Sequence, residues 1–294
     1  MRRAGVYFCG GSVVSNQFIL TAAQCCFGKL VFSIDIFIGD ENSQITKPLA
    51  FTIHPQFDEA SLDYDFCLIK TECMNSSLVC LPEQDEMIVE TETRRNGVDC
   101  YLAQPGHNLL PTKVAIFSNE FCSQSAENKQ IDYESRSSFC AGPILDGMRK
   151  HEALLCEEDR GTPLICIEDD VERLYGIFSH GRNCEDDNNP GIYSKVTSQK
   201  LWIEQTISRD IDQCATSSNE VGRKAPSSPS TFNQLPAKLP PLAQGFNEST
   251  PERSNLSIGY PCKTRLRIVN GKEARAHSWP WMVSIQEGLC KSFI

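Results

Sequence analysis

The chain has 294 residues, of which 40% are apolar and 9% aromatic, so it is long enough for one complete globular core plus an appendage. Its formal net charge of −10 argues against nonspecific binding to nucleic acid or to anionic membranes, because both require clustered Lys and Arg. No run of about 18 apolar residues occurs, so we predict no membrane span.

Short β-type runs punctuated by turns fill the chain from Val6 to about Tyr193. The runs are VYFCGGSVV, QFILTAA, KLVFSIDIFIG, DFCLIK, TKVAIFS, PLICI, RLYGIFS and GIYSKV. Many short strands with little helix between them predict an all-β barrel or sandwich. One clear helix candidate follows near Thr197, with apolar residues four positions apart at Ile203, Ile207 and Ile211. We expect this terminal helix to pack on the strands.

The composition changes after Cys214 to Ser, Pro, Asn and Thr, as in SSPSTFNQLPAKLPPL. Such a segment buries too little apolar surface to offset the entropy of ordering it, so we predict a linker over residues 213–266. Residues 267–294 are apolar and aromatic again, but they are too few to form a core alone.

Fifteen cysteines are spread along the chain without the paired spacing of zinc sites. This distribution indicates a disulfide framework formed in an oxidising compartment. Glycosylation acceptor triplets at Asn75, Asn247 and Asn255 give weak support to the same compartment. We therefore expect a secreted protein whose signal peptide is missing from this sequence, and we predict neither a cofactor nor a metal site.

Three motifs follow one another along the chain, namely CGGSVVSNQFILTAAQCC, DYDFCLIK and CEEDRGTPLIC. They resemble motifs of the trypsin/chymotrypsin family of serine proteases. The first resembles the family's CGGSL…TAAHC, the second resembles the strand that carries the triad aspartate, and the third resembles the nucleophile loop CxGDSGGPLxC. YGIFSHGRNC and PGIYSKV follow in the family's order. The resemblance covers about residues 5–212 and implies an all-β fold. That fold has two six-stranded antiparallel β-barrels, a cleft between them and a C-terminal helix.

The resemblance also implies where a catalytic triad would lie. Asp65 stands at the aspartate position, but Gln24 stands where the family has histidine and Arg160 where it has serine. An amide accepts no proton near neutral pH, and a guanidinium is no nucleophile. The sequence therefore predicts an inactive homologue in which Asp65 is retained in a structural role. We expect the Gln24 amide to donate a hydrogen bond to it.

Five further residues are assigned to the former cleft by the resemblance, namely Leu154, Glu158, Asp159, Ser179 and Gly181. Leu154 stands where a trypsin-like aspartate would bind Lys or Arg, so no pocket for a basic side chain is implied. Glu158 replaces a glycine whose backbone amide helps to form the oxyanion hole. Asp159 keeps the aspartate that pairs with a new amino terminus after activation, and Ser179 keeps the serine beside the triad aspartate.

Four disulfides are implied by the family pattern, namely Cys9–Cys25, Cys100–Cys166, Cys122–Cys140 and Cys156–Cys184. Seven cysteines are left without an assignment, namely Cys26, Cys67, Cys73, Cys80, Cys214, Cys262 and Cys290. An odd total implies a free thiol, an intermolecular bridge or a missing partner.

The tail beginning at Arg267, with IVNGKEARAHSWPWMVSIQ after it, resembles the family's activation junction, in which cleavage would free Ile268. The favoured interpretation is that residues 267–294 open a second, truncated trypsin-like domain, as in tandem polyproteases. The alternative is that the tail supplies the strand that the first domain, residues 1–212, lacks at its start. Met282 to Gln286 would then pair beside Tyr7 to Gly11, and Cys262 would meet Cys80.

The leading hypothesis is a secreted, noncatalytic protease homologue that binds a protein or peptide through its former cleft. A basic peptide is one candidate because acidic residues frame the implied pocket, although a solvated acidic rim is the simpler interpretation. These residues are Glu157, Glu158, Glu185, Asp186 and Asp187. The competing hypotheses are a tandem serine endopeptidase whose active domain is missing from this chain, and a degenerate fragment without function. The sequence sets neither the partner's identity nor the oligomeric state.

Overall fold

The computed structural model describes residues 6–39, 44–82, 99–102, 112–129, 133–143, 159–168, 171–181, 190–210, 214 and 281–287. In this part of the chain, two antiparallel β-barrels are followed by a C-terminal helix, so the predicted fold is confirmed. Gln24 of the first family motif is hydrogen-bonded to Asp65 of the second, and Gly10 of the first is hydrogen-bonded to Arg160 of the third.

The first barrel is a sheet of seven antiparallel strands in the spatial order β4-β3-β13-β1-β2-β6-β5. Its strands are β1 (Val6–Ser15), β2 (Phe18–Thr21), β3 (Ile34–Ile38), β4 (Gln44–Thr46), β5 (Pro48–Ile53), β6 (Cys67–Thr71) and β13 (Met282–Glu287). Alternate residues of β3 are buried, as the two-residue period of a strand requires. The count exceeds the expected six because the short β4 pairs with β3.

The second barrel is closed, with six strands in the order β10-β11-β12-β9-β8-β7. They are β7 (Asp99–Leu102), β8 (Thr112–Ile116), β9 (Ser138–Pro143), β10 (Pro163–Glu168), β11 (Val171–His180) and β12 (Gly191–Lys195). Closure leaves no unpaired edge. The aromatic side chains of Phe139, Tyr175, Phe178 and Tyr193 are fully buried in its core.

Two α-helices lie outside the barrels. The predicted terminal helix is α2 (Val196–Asp210), which buries Ile203 and Ile207, while Ile211 lies outside the described residues. The second helix, α1 (Asn119–Lys129), was not predicted from the sequence, because it has no clear apolar face. At its start, the Ser118 hydroxyl accepts a hydrogen bond from the N–H of Phe121. Neither described helix is long and apolar enough to cross a bilayer.

The tail strand β13 lies inside the first barrel, between β1 and β3. Tyr7 is opposite Gln286 and Gly11 is opposite Val283, which is the pairing that the second interpretation of the tail expects. Trp281 is fully buried just before this strand. Whether a second domain opens at residue 267 stays a prediction.

Disulfides join several of these elements. Three of the bonds implied by the family pattern are present, Cys9–Cys25, Cys100–Cys166 and Cys122–Cys140. Two others pair cysteines that the sequence left unassigned, Cys26–Cys67 and Cys73–Cys214. Cys80 is also disulfide-bonded. The cysteines outside the described residues are Cys156, Cys184, Cys262 and Cys290, so the Cys156–Cys184 bond and the Cys80–Cys262 bond stay predictions.

Candidate functional site

Gln24 and Asp65 are brought together by two short segments of the first barrel. Gln24 lies in a 3₁₀ turn, Ala23–Cys25, directly after β2, and Asp65 lies two residues before β6. The Cys26–Cys67 disulfide joins the residue after this turn to the first residue of β6. A covalent bond therefore holds the two segments together beside the pair.

The carboxylate of Asp65 is completely buried and accepts three close hydrogen bonds. The backbone N–H of Gln24 donates to Oδ1 over 3.0 Å, and the Gln24 side-chain amide donates to Oδ2 over 2.7 Å. The hydroxyl of Ser179 donates to Oδ2 over 2.6 Å. Burial raises the pKa of Asp65, and the hydrogen bonds from Ser179 and Gln24 oppose that rise. The structure thus contains the Gln24–Asp65 hydrogen bond that we expected from the sequence.

The side-chain amide of Gln24 has one possible orientation in this network. Its nitrogen, Nε2, donates to Asp65 Oδ2 and also to the carbonyl oxygen of Ser179 over 3.2 Å. Both of these oxygens lack a hydrogen when Asp65 is ionised, so they only accept. The amide oxygen of Gln24 must then point away from Asp65. At the position where the sequence predicts the family's histidine, the side chain therefore carries an amide oxygen that faces away from Asp65.

His180 extends the network and was not singled out from the sequence. The Nδ1 atom of its ring lies 3.0 Å from the Ser179 hydroxyl oxygen. Since Ser179 donates its hydrogen to Asp65, its oxygen is the acceptor and His180 Nδ1 carries the donated hydrogen. An imidazole and a hydroxyl therefore meet beside Asp65, but Ser179 is only 1% exposed and its hydrogen faces inward. The signal for His180 was its place directly after Ser179.

The backbone on the amino-terminal side of Asp65 is strained. Leu62 has a φ of 58° and Tyr64 a φ of 50°, in the left-handed region that residues with a side chain rarely adopt. The Tyr64 carbonyl accepts the N–H of Phe66 over 2.7 Å, which closes a tight turn around Asp65. Strain of this kind occurs at sites where the surrounding structure fixes one side chain in place.

The loop at the predicted nucleophile position contains Asp159, Arg160 and Gly161. Backbone hydrogen bonds fix it: the Gly10 N–H donates to the Arg160 carbonyl over 2.7 Å, and the Gly161 N–H donates to the Phe178 carbonyl over 2.8 Å. Gly161 has a φ of 82°, and a Cβ there would lie 2.2 Å from the Gly10 oxygen, so only glycine fits. The Arg160 side chain is half-buried, and a guanidinium has N–H donors but no nucleophilic oxygen.

Asp159 lies close enough to Tyr7 to affect its titration. Burial, followed by the negative charge of Asp159, raises the pKa of Tyr7. Both side chains are half-buried at the interface of β1 and the nucleophile loop. The two barrels therefore meet here through polar as well as apolar groups.

The remaining predicted site residues are placed in different ways. Gly181 directly follows β11 and has a φ of 94°. Asn75 is exposed, as a glycosylated side chain must be. Leu154, Glu158, Arg267, Ile268, Asn247 and Asn255 lie outside the described residues, as do the acidic rim residues. Within the described part of the chain, no group of His, Cys, Asp and Glu side chains is arranged to hold a metal ion.

Comparison with known proteins agrees with this geometry. The family model described as trypsin matches residues 1–203. Transmembrane protease serine 5 of Homo sapiens is 29% identical over 222 residues, which cover 67% of this chain and 46% of that protein. Tissue-type plasminogen activator of Rattus norvegicus is 27% identical over a segment that covers 68% of this chain and 39% of that protein. Trypsin-3 of Salmo salar is 28% identical over a segment that covers 70% of this chain and 85% of that protein. The chain thus spans less than half of the first two relatives.

The matched residues include every strand of the two barrels except the tail strand β13, and they include Gln24, Asp65, Arg160 and Ser179. The chain therefore belongs to the trypsin-like serine protease family.

Proposed function

We propose that this protein is a secreted, catalytically inactive trypsin-like homologue that acts as a binding or regulatory module. The observation that carries the proposal is the orientation of Gln24, whose amide donates inward to Asp65 and to Ser179. A side chain held in this way cannot take a proton from a nucleophile or return it to a leaving amine.

The nucleophile position supports the same conclusion. The sequence assigns Arg160 to it, and backbone hydrogen bonds at Arg160 and Gly161 fix the loop around that residue. Loss of the serine or the histidine alone lowers the rate of a serine protease by about 10⁶. Glu158 would add a negative charge where the oxyanion forms, which weakens what catalysis is left.

The hydrogen-bonded side chains of Asp65, Ser179 and His180 do not replace the catalytic triad. A nucleophile must reach the scissile carbonyl, whereas the Ser179 hydroxyl is 1% exposed and is committed to Asp65. We therefore assign Ser179 and His180 to holding the cleft in shape.

A binding role follows from what the cleft retains. Disulfides and paired strands fix its walls, and a preformed site binds with little loss of conformational entropy. The amide oxygen of Gln24 offers a hydrogen-bond acceptor, which suits the backbone N–H groups of a protein or peptide partner. The disulfides support an extracellular location.

A fluorophosphonate probe tests the absence of catalysis. We expect the full chain to show no labelling and no turnover of chromogenic peptides between about pH 6 and 9, where a serine–histidine pair is active. Active trypsin is the positive control, and the single variants Gln24→His and Arg160→Ser should stay inactive because the triad acts as one unit. Labelling of a serine in this domain, or turnover abolished by Ser179→Ala, would contradict the proposal.

A tandem serine endopeptidase is the second candidate function, in which this domain accompanies an active one. It is favoured by the junction at Arg267 and by relatives that extend well beyond the matched segment. A full-length transcript that encodes TAAHC and GDSGGP motifs downstream, together with an amino terminus at Ile268 in the secreted protein, would support it. A transcript that ends without these motifs would exclude it.

A further inference from the structure

The gap between β1 and β3 is filled by β13, which pairs with both neighbours. β13 faces β1 over positions from Val6 to Ser12 and faces β3 over Ile34 to Ile38. Two further bonds hold its start: the Val13 N–H donates to the Trp281 carbonyl over 2.8 Å, and the Gly39 N–H donates to the Met282 carbonyl over 3.0 Å. Without β13, two strand edges would be left unpaired inside the barrel.

The gap also fits particular side chains of the segment. A Cβ on Gly11 would lie 2.9 Å from Val283 Cγ2, so the absence of a side chain at Gly11 makes room for Val283. Trp281 is fully buried, and its ring N–H donates to Glu172 Oε2, also buried, over 3.2 Å. Because this buried carboxylate accepts the indole N–H, the site favours tryptophan over other large apolar residues at position 281. Ile285 is fully buried as well.

The covalent connection does not by itself fix this placement. The Cys73–Cys214 disulfide anchors the chain at Cys214, and residues 215–280 lie between that anchor and Trp281. The predicted Cys80–Cys262 bond would shorten the connection to residues 263–280. A connection of either length raises only the local concentration of the segment, so the contacts of the strand itself must hold it in the gap. The connection also contains Arg267, the predicted cleavage position.

We propose that the gap between β1 and β3 is a strand-binding site and that its ligand is the segment 281–287 of this chain. The segment stays bound as a separate peptide once the connection is cut after Arg267. Added peptide of the same sequence replaces it. Binding follows the logic of β-augmentation, in which backbone hydrogen bonds give affinity and alternate side chains give specificity. This site is distinct from the former cleft and does not depend on whether the domain is catalytic.

The test uses the full chain with a recognition sequence for a specific protease inserted after Arg267. A second version carries Cys290→Ser, so that no disulfide can retain the released segment. After cleavage, size-exclusion chromatography shows whether residues 268–294 co-elute with the domain. Fluorescence anisotropy then measures exchange with a labelled synthetic peptide of residues 278–288, SWPWMVSIQEG, which contains no cysteine. Its matched control is the same peptide with Val283→Asp.

We expect the segment to co-elute with the cut domain in both versions, and the native peptide to exchange in and saturate. The Val283→Asp peptide should bind at least about tenfold more weakly, because it would bury an unpaired carboxylate. The uncut chain should bind neither peptide measurably, since its own strand is present at a high effective concentration. Separation of the segment from a folded domain, equal binding of the two peptides, or capture of peptide by the uncut chain would each overturn the proposal.

Discussion

Removal of the Gln24 side chain tests whether its amide stabilises the buried charge of Asp65. Gln24→Ala deletes the 2.7 Å hydrogen bond to Asp65 Oδ2 and the 3.2 Å bond to the Ser179 carbonyl, while the Gln24 backbone bond and the Ser179 bond remain. A hydrogen bond to a charged group contributes about 1.5–3 kcal/mol. We therefore expect the free energy of unfolding to fall by about 2 kcal/mol near neutral pH.

The loss should depend on pH. The pKa of Asp65 is raised in the folded state, so its burial favours the protonated form, and the stabilising hydrogen bonds act on the charged form. Removing one of them raises this pKa further. Below about pH 3.9, the pKa of Asp65 in the unfolded chain, the variant and the wild type should have similar free energies of unfolding. The difference between them grows as the pH rises through the pKa of Asp65 in the folded protein. Destabilisation at pH 8 should exceed destabilisation at pH 4.

Urea unfolding followed by tryptophan fluorescence measures both quantities. Gln56→Ala is the matched control, because Gln56 is exposed and its side chain is outside the network, so its effect should stay within about 0.5 kcal/mol. Gln24→His retains a ring donor and should recover most of the loss. A Gln24→Ala protein as stable as wild type at pH 8, or one destabilised equally at both pH values, would refute the reasoning.

Three other predictions concern the scaffold around the site. Burial lowers the pKa of His54, so the unfolded state binds the proton first. The contribution of His54 to the free energy of unfolding is therefore complete above about pH 6.5, and it is lost as the pH falls below that value. His54→Phe should make the free energy of unfolding, measured with urea, depend less on pH between about pH 7.5 and 5. Gly161→Ala places its Cβ 2.2 Å from a backbone oxygen and should cost at least about 3 kcal/mol, whereas Gly28→Ala, with nothing within 4 Å at a similar φ, should cost about 1 kcal/mol. Replacing both Cys26 and Cys67 by serine removes a crosslink between residues that are 41 positions apart, and it should lower the free energy of unfolding by about 3–4 kcal/mol. The urea midpoint should fall accordingly, and an unchanged midpoint would contradict the Cys26–Cys67 disulfide.

The sequence by itself determined the fold and the chemical types at the positions that the family motifs assign to the triad. The short β-type runs and the order of the family motifs predicted two barrels, and the apolar residues spaced four apart after Thr197 predicted a terminal helix. These signals are local, because short runs and motifs are formed by neighbouring residues. The identity of Gln24 and Arg160 needed no structure, since the amide and guanidinium groups have the same chemistry wherever they lie.

Only the tertiary structure decided which groups meet. Gln24 and Asp65 are 41 residues apart, and Ser179 lies 114 residues after Asp65, so the direction of each hydrogen bond depends on how distant strands pack. The same holds for His180 Nδ1 and for the Cys26–Cys67 bond, since cysteine connectivity does not follow from spacing. The position of β13 was one of two alternatives in the sequence. Pairing on both of its edges is a property of the assembled barrel, which no local pattern encodes.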